Sequence, residues 1–221
     1  MQPDEETLKH IAAQLRKPEG EAGKQTGERM NVGNEAMNLA TIAQLHIAPD
    51  DNLLEIGMGN GYFVPQIVGV NDTVKYTGID YSETMVEEAC MLNKQQIADG
   101  QVQFVLGKVE GMPFEDNTFT KAFTVNTLYF WENPAQVLAE LRRVLKPGGL
   151  LLITIRPKEV MENYAFTKYG FTAYSPTDAA TLLTANNFTV TNIVDVEEPE
   201  VDFNGEKVKA KSIIICTVAN A

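Results

Sequence analysis

From Asn52 onward, short apolar runs alternate with stretches of helical period, and this alternation limits the fold more than any other feature of the chain. "NLLEIG" (52–57), "KYTGID" (75–80), "VQFVLG" (102–107), "TKAFTVN" (120–126) and "LLLITI" (150–155) have the length and composition of strands. Helix patterns lie between them. "YFVPQIVGV" (62–70) is short, and a longer helix capped by Ser82 runs through Met85, Ala89 and Leu92 to Ile97. A third places Asn133 and Pro134 at the cap and first turn, repeats Val137, Leu138, Leu141, Val144 and Leu145 at helical spacing, and closes at "KPGG". Strands joined by crossover helices run in the same direction, so the expected fold is α/β and doubly wound, a mostly parallel sheet with helices on both faces. The C-terminal pattern differs: "FTVTNIVDV" (188–196) and "KSIIICTVA" (211–219) are joined by a polar stretch without helical period and predict a terminal antiparallel hairpin.

Ahead of this core, Asp4 can cap an amphipathic helix whose apolar face is Leu8, Ile11, Ala12 and Leu15, with Pro18 as its stop. "PEGEAGKQTGERMNVGN" (18–34) carries four glycines and no sustained period, which predicts a loop or lid. A second helix is expected from about Asn34 to His46, before the turn "APDDN".

At 221 residues the chain suits one sizeable core. Thirty acidic against eighteen basic residues give a net charge of -12, a field that disfavours nucleic acid as a partner. No apolar run reaches membrane-spanning length, and the first residues lack the basic and apolar regions of a signal peptide, so a cytoplasmic protein without membrane association is expected. Cys90 and Cys216 fall in a predicted helix and strand, as buried fillers do, and His10 and His46 have no Cys or His at ligand spacing. No metal is expected.

In an open parallel sheet, ligands bind at the carboxyl ends of the strands near the point where strand order reverses. "NLLEIGMGNGYF" (52–63) is the first strand and its exit turn, so Gly57, Gly59 and Gly61 fall at that place. A dinucleotide loop has the spacing G-x-G-x-x-G and rests a pyrophosphate on a helix N-terminus. Here the spacing is G-x-G-x-G, and the carboxylate of Glu55 precedes it, which opposes a pyrophosphate and favours a cationic ligand. Asp80 ends the second strand, where an acid can accept hydrogen bonds from both hydroxyls of a ribose, in dinucleotide enzymes and other adenosyl-cofactor enzymes alike.

"LLEIGMGNGYF", "YTGIDYSETMVEEA", "GKVEGMPFEDNTFTKAF" and "LRRVLKPGGLLLI" together resemble, in order and spacing from Asn52 to Ile155, the motifs of the class I S-adenosylmethionine-dependent methyltransferases, especially the type 11 small-molecule group. The resemblance implies a Rossmann-like, seven-stranded sheet with an antiparallel last strand, a methyltransferase core over 51–221 and an N-terminal helical extension and lid over 1–50. It implies that Gly57, Met58, Gly59 and Gly61 approach the methionine part of S-adenosylmethionine while Glu55 helps hold its ammonium group. Asp80 would bind the ribose, Tyr81 lie against the adenine, Val109 and Glu110 sit at the adenine edge, and Asn126 lie near the methionine portion. The segment 15–34 looks like one that folds over the cofactor, with Met30 and Asn31 as its contacts. Two positions depart from the pattern. Lys108 replaces an aspartate that accepts from the adenine amino group, which lysine cannot do, and Thr120 replaces another aspartate.

Methyl transfer from a sulfonium is an in-line displacement in which the protein chiefly orients the acceptor and excludes water, so no nucleophile or acid–base dyad has to stand out. The acceptor pocket is expected from Asn126, Tyr129 and Trp131 after the fourth strand. Arg156, Tyr164, Phe166, Tyr169, Phe171 and Tyr174 follow the fifth, with aromatic rings for an apolar or planar small molecule. A non-catalytic S-adenosylmethionine-binding regulator would share every motif, and an NAD-dependent oxidoreductase would share the sheet and Asp80 but not the loop spacing. Sequence names neither the acceptor atom nor the oligomeric state.

Overall fold

The computed structural model describes the backbone of residues 3–203 and 206–220 and the side chains of residues 3–199 and 211–220. Seven strands form one sheet: β1 (Asn52–Ile56), β2 (Lys75–Asp80), β3 (Val102–Leu106), β4 (Phe119–Val125), β5 (Leu145–Ile155), β6 (Phe188–Phe203) and β7 (Glu206–Ala219). Their order is β3-β2-β1-β4-β5-β7-β6, and the sheet is parallel except for β7, which runs antiparallel to both β5 and β6. Strand order reverses between β1 and β4, so the crevice beyond the end of β1 is where a ligand fits.

Successive strand residues point to opposite faces, and the core divides accordingly. Leu54, Leu151, Ile153 and Ile215 pack under α7 (Pro134–Val144) and α9 (Pro176–Ala185). Leu53, Leu152, Ile214 and Cys216 pack on the other face, with Ile67 of α4 (Val64–Val68) and Ala89 of α5 (Glu83–Leu92). Both faces are therefore dry, which is why the strands read as continuous apolar runs. Cys216 is buried and free, as its filler role requires.

Three N-terminal helices precede the sheet: α1 (Glu5–Arg16), α2 (Gly20–Gly33) and α3 (Glu35–Gln44). Asp4 caps α1 by accepting from the Thr7 N–H at 2.8 Å, as expected. The expected loop over 18–34 is instead the helix α2. Its low intrinsic propensity is overridden by packing: Gly23 and Gly27, one turn apart, are buried where the helix closes on its neighbours. A Cβ on Gly23 would stand 2.6 Å from the Pro18 carbonyl carbon, and one on Gly27 3.2 Å from Met85 Sδ.

Two further expectations are corrected. The helix foreseen from Ser82 to Ile97 divides at Asn93 into α5 and α6 (Lys94–Ala98), because the Asn93 side chain turns inward and donates from Nδ2 to the carbonyls of Ala89 and Gly61. The terminal antiparallel hairpin is present as expected but longer than 188–196 and 211–219: β6 and β7 continue past the end of β5 and pair with each other to Phe203 and Glu206. The remaining helix, α8 (Lys158–Met161), follows β5, and among the described residues no helix is long and apolar enough to cross a membrane.

The glycines of α2 give opposite expectations. Gly33→Ala, with open space at its Cβ, should raise stability by up to about 1 kcal/mol through reduced chain entropy. Gly23→Ala should lower it by about 1–3 kcal/mol through overpacking against Pro18. Urea midpoints at constant m-value would measure both.

Candidate functional site

The loop after β1 turns through three left-handed glycines, with φ of +69° at Gly57, +58° at Gly59 and +66° at Gly61. Their surroundings differ. A Cβ on Gly57 would fall 2.4 Å from the Thr127 methyl, and one on Gly61 2.9 Å from Asn93 Nδ2, whereas Gly59 has nothing within 4 Å. Gly57 and Gly61 are thus set by packing, and Gly59 leaves room for a ligand to reach the backbone.

That room belongs to a cavity of about 250 Å³ at the carboxyl ends of β1, β2 and β4. Two acids stand in its wall. Glu55 is 7% exposed and accepts a hydrogen bond from Tyr76 Oη at 2.5 Å. Burial pushes its carboxyl up to about 7, partly opposed by that hydrogen bond and reinforced by the nearby Asp80. Asp80 is 8% exposed and accepts from the Ser82 N–H at 2.8 Å and the Gly59 N–H at 3.2 Å. Burial raises it to about 6 against the pull of these backbone donors. Buried carboxylates without a cation in protein contact suit a ligand that supplies positive charge and hydroxyl donors.

All eleven residues expected to hold the cofactor, namely Asn31, Glu55, Gly57, Met58, Gly59, Gly61, Asp80, Tyr81, Val109, Glu110 and Asn126, lie in or beside this crevice. All but Gly61, which turns behind the loop, line the cavity directly. Tyr81 also donates to the Arg16 carbonyl at 2.6 Å, tying α1 to the end of β2. Lys108 lines the cavity and is exposed. The other departure, Thr120, lies away from it, accepting from the Asn52 N–H at 3.1 Å and donating to Asp51 Oδ1 at 2.8 Å. α2 forms the roof through Gly27, Met30 and Asn31.

The aromatic positions divide. Trp131 lines the cavity together with Phe130. Tyr129 does not: its ring is buried in the core, and its hydroxyl lies 3.1 Å from Asn126 Oδ1 and 2.5 Å from the Arg156 N–H it accepts from. Tyr164, Phe166, Tyr169, Phe171 and Tyr174 are likewise outside the cavity lining. Tyr164 stacks on Phe166 with ring centroids 5.4 Å apart, Phe171 packs against Phe130 at 4.6 Å, and Tyr169 lies under the Lys9 ammonium at 5.5 Å. These rings build the layer behind the wall because the chain after β5 folds over α1 and the turn after β4.

Several lining residues were not among those expected: Asn34, Asn38, Asn60, Tyr62, Phe63 and Thr127. Asn60, Tyr62 and Phe63 adjoin the glycines and Thr127 follows Asn126, so proximity to the motifs could have indicated them. Asn34 ends the segment 15–34 that resembles a cofactor cover, whereas Asn38, four residues further on in α3, is located only by the folding of the extension over the sheet.

Comparison with known proteins agrees with this geometry. The family model of a methyltransferase domain matches residues 54–153. The chain is 32% identical to the uncharacterized methyltransferase YdaC of Bacillus subtilis (strain 168), over 60% of this chain and 71% of that protein. It is 31% identical to the O-methyltransferase resE of Aspergillus sclerotiorum over 57% of this chain, and it spans only 47% of that protein. Among solved structures, a chain of the complex containing the Haloferax volcanii Trm112 methyltransferase activator superposes with a TM-score of 0.79 at 16% identity, covering 89% of this chain and 93% of that one. A geranyl diphosphate methyltransferase, solved with GPP and sinefungin, gives a TM-score of 0.66 at 15% identity, covering 83% of this chain and 76% of that one. The two structural likenesses show the fold, and the sequence match to YdaC with the domain match shows the family. The chain belongs to the class I S-adenosylmethionine-dependent methyltransferases.

Proposed function

We propose that the protein transfers the methyl group of S-adenosylmethionine to a small-molecule acceptor by in-line displacement. The observation that carries this reading is the pair of buried carboxylates, Glu55 and Asp80, on either side of a glycine with open space above it. In this reading Glu55 holds the ammonium group of the cofactor's amino-acid end, directly or through water. Asp80 takes the ribose hydroxyls, Tyr81, Val109 and Glu110 enclose the adenine, and the loop from Gly57 to Gly61 with Asn126 and Asn31 follows the methionine chain. When bound, the cofactor supplies a methyl group already activated on a sulfonium.

The chain's own work is then to hold the acceptor in line and keep water out. Phe130 and Trp131 in the wall and Met30 in the α2 roof give the cavity an apolar, partly aromatic surface that suits a planar or apolar acceptor. Tyr129, Tyr164 and Tyr169 support that wall from behind. The likeness to resE, named an O-methyltransferase, supports an oxygen as the acceptor atom. A methyl-transfer screen over small hydroxylated aromatic and aliphatic acceptors, reading S-adenosylhomocysteine formation, tests this directly. Silence across the panel with intact cofactor binding would favour a non-catalytic binding protein.

Asp80→Ala should weaken S-adenosylmethionine binding by more than about tenfold, in line with ~1.5–3 kcal/mol for hydrogen bonds to a charged group. Titration calorimetry measures it, and preferential binding of NAD by the unaltered protein would overturn the reading.

Binding should also depend on pH. With Glu55 at about 7 and Asp80 at about 6, the empty site takes up protons as pH falls through that range, and a cationic ligand favours the ionised forms. Affinity should therefore fall by about tenfold or more from pH 8 to pH 5.5, with proton release on binding near pH 6.5. Calorimetry in buffers of different ionisation enthalpy would show it. The same shifts stabilise the empty protein below the ordinary carboxylate range, and that contribution is lost as pH rises through 6 to 7.

A further inference from the structure

Behind the cavity wall lies a polar network that the roles above do not use. Arg156 follows β5 and pairs with Glu198 of β6 at 2.6 Å, the two side chains being 13% and 5% exposed. The same guanidinium donates from Nη2 to the Gly33 carbonyl and from Nη1 to Asn34 Oδ1, both at 3.0 Å. It thereby clasps the junction of α2 and α3. Among the described residues, Arg156 Nε and Glu198 Oε1 have no hydrogen-bond partner. A buried pair so incompletely satisfied is weakly justified by stability alone.

Its consequence for the cavity follows from donor chemistry. A guanidinium only donates, so the atom of Asn34 that meets it is the carbonyl oxygen. Asn126 Nδ2 donates to that same oxygen at 3.2 Å, while Asn126 Oδ1 lies 3.1 Å from Tyr129 Oη, whose single hydrogen it shares with the Arg156 carbonyl at 3.0 Å. With Oδ1 of Asn34 committed to two donors, Arg156 and Asn126, its amide N–H₂ is left for the cavity it lines.

The end of the cavity is also fixed. Asn34 bonds Asn126, whose neighbour Thr127 packs on Gly57, so this is the Glu55 end and not the Asp80 end. Among the described lining residues the cations are Arg16 and Lys108, and Arg16 is paired with Glu132 at 2.5 Å. Lys108 adjoins Val109, on the side where Tyr81 and Asp80 stand. Among the described residues no cation lines the Glu55 end, so neutral donors are what the lining offers an anionic group there.

We propose that Arg156, held by Glu198, is a positioning residue that turns the Asn34 amide N–H₂ into the cavity, where it donates to the carboxylate of the cofactor's amino-acid end. The assignment rests on the S-adenosylmethionine reading above. It also makes the β6–β7 hairpin part of the site, because Glu198 sets the guanidinium that closes α2 over the ligand.

The test compares S-adenosylhomocysteine, which carries the carboxylate, with 5′-methylthioadenosine, which lacks the amino-acid end. In Asn34→Asp a carboxylate still accepts from Arg156 and Asn126, so the fold keeps its contacts while the donor facing the ligand is replaced by an acceptor. Affinity for S-adenosylhomocysteine should fall about tenfold or more, as loss of a charge-assisted hydrogen bond requires, while that for 5′-methylthioadenosine stays within about twofold and the melting temperature does not drop. Glu198→Gln, which preserves shape and removes the anchoring charge, should give a smaller loss confined to S-adenosylhomocysteine. Equal losses for both nucleosides would reduce the network to general support of the lid and overturn the assignment. Unchanged S-adenosylhomocysteine affinity in Asn34→Asp, with the acceptor's KM raised, would place the donor on the acceptor and overturn it too. An unaltered protein that binds neither nucleoside overturns the cofactor reading itself.

Discussion

The structure depends on keeping two carboxylates out of water at the end of its central strands. Glu55 lies in β1 beside Gly78 of β2, and Asp80 closes β2, so both acids project into the crevice where strand order reverses. Burial raises both well above ordinary carboxylates, which costs the empty, ionised protein roughly 3 kcal/mol each. Tyr76 and the N–H groups of Gly59 and Ser82, which donate to the charged forms, keep that cost from being larger. The glycine loop, the phenol beneath it and the roof above it are all arranged around these two charges.

The roof is made from segments with little helical tendency of their own. α2 contains four glycines and no side-chain cap, and it is held at its ends by tertiary contacts. At the start, Ser82 Oγ donates to the Pro18 carbonyl, and the Gly20 N–H donates to Thr84 Oγ1 at 3.1 Å. Lys24 then pairs with Glu88 of α5 at 2.8 Å, and at the far end Arg156 grips Gly33 and Asn34. A helix with strong propensity would form without the core. One with weak propensity forms where the core docks it, which suits a cover that must admit and release a ligand.

Much of the site was legible because it lies close to strands whose pattern is unmistakable. Glu55, the three glycines and Asp80 are fixed relative to β1 and β2 by a few residues of chain, so spacing located them. The helix at 18–34 was not legible, because glycine content argues for a loop and only the proximity of Pro18 and Met85 reverses that argument. The break at Asn93 was hidden for a similar reason: an inward hydrogen bond to Gly61, 32 residues away, outweighs a continuous helical pattern. The aromatic residues after β5 looked like a pocket lining, yet their order in sequence does not say which side of the turn after β4 they cover.

The sequence by itself determined the parallel sheet, the reversed last strand and the end of the cavity built from the glycine loop and its two acids, since these follow from apolar periodicity and short-range spacing. Tertiary structure decided which residues meet the other end. Phe130 and Trp131 reach the cavity while Tyr129, Tyr164 and Tyr169 do not, and Asn34 meets Arg156 across a separation of 122 residues while Arg156 in turn pairs with Glu198 of the terminal hairpin. Such contacts depend on how the N-terminal helices and the terminal hairpin close over the sheet. No local pattern encodes that closure, because it arises from packing between surfaces that are distant in the chain.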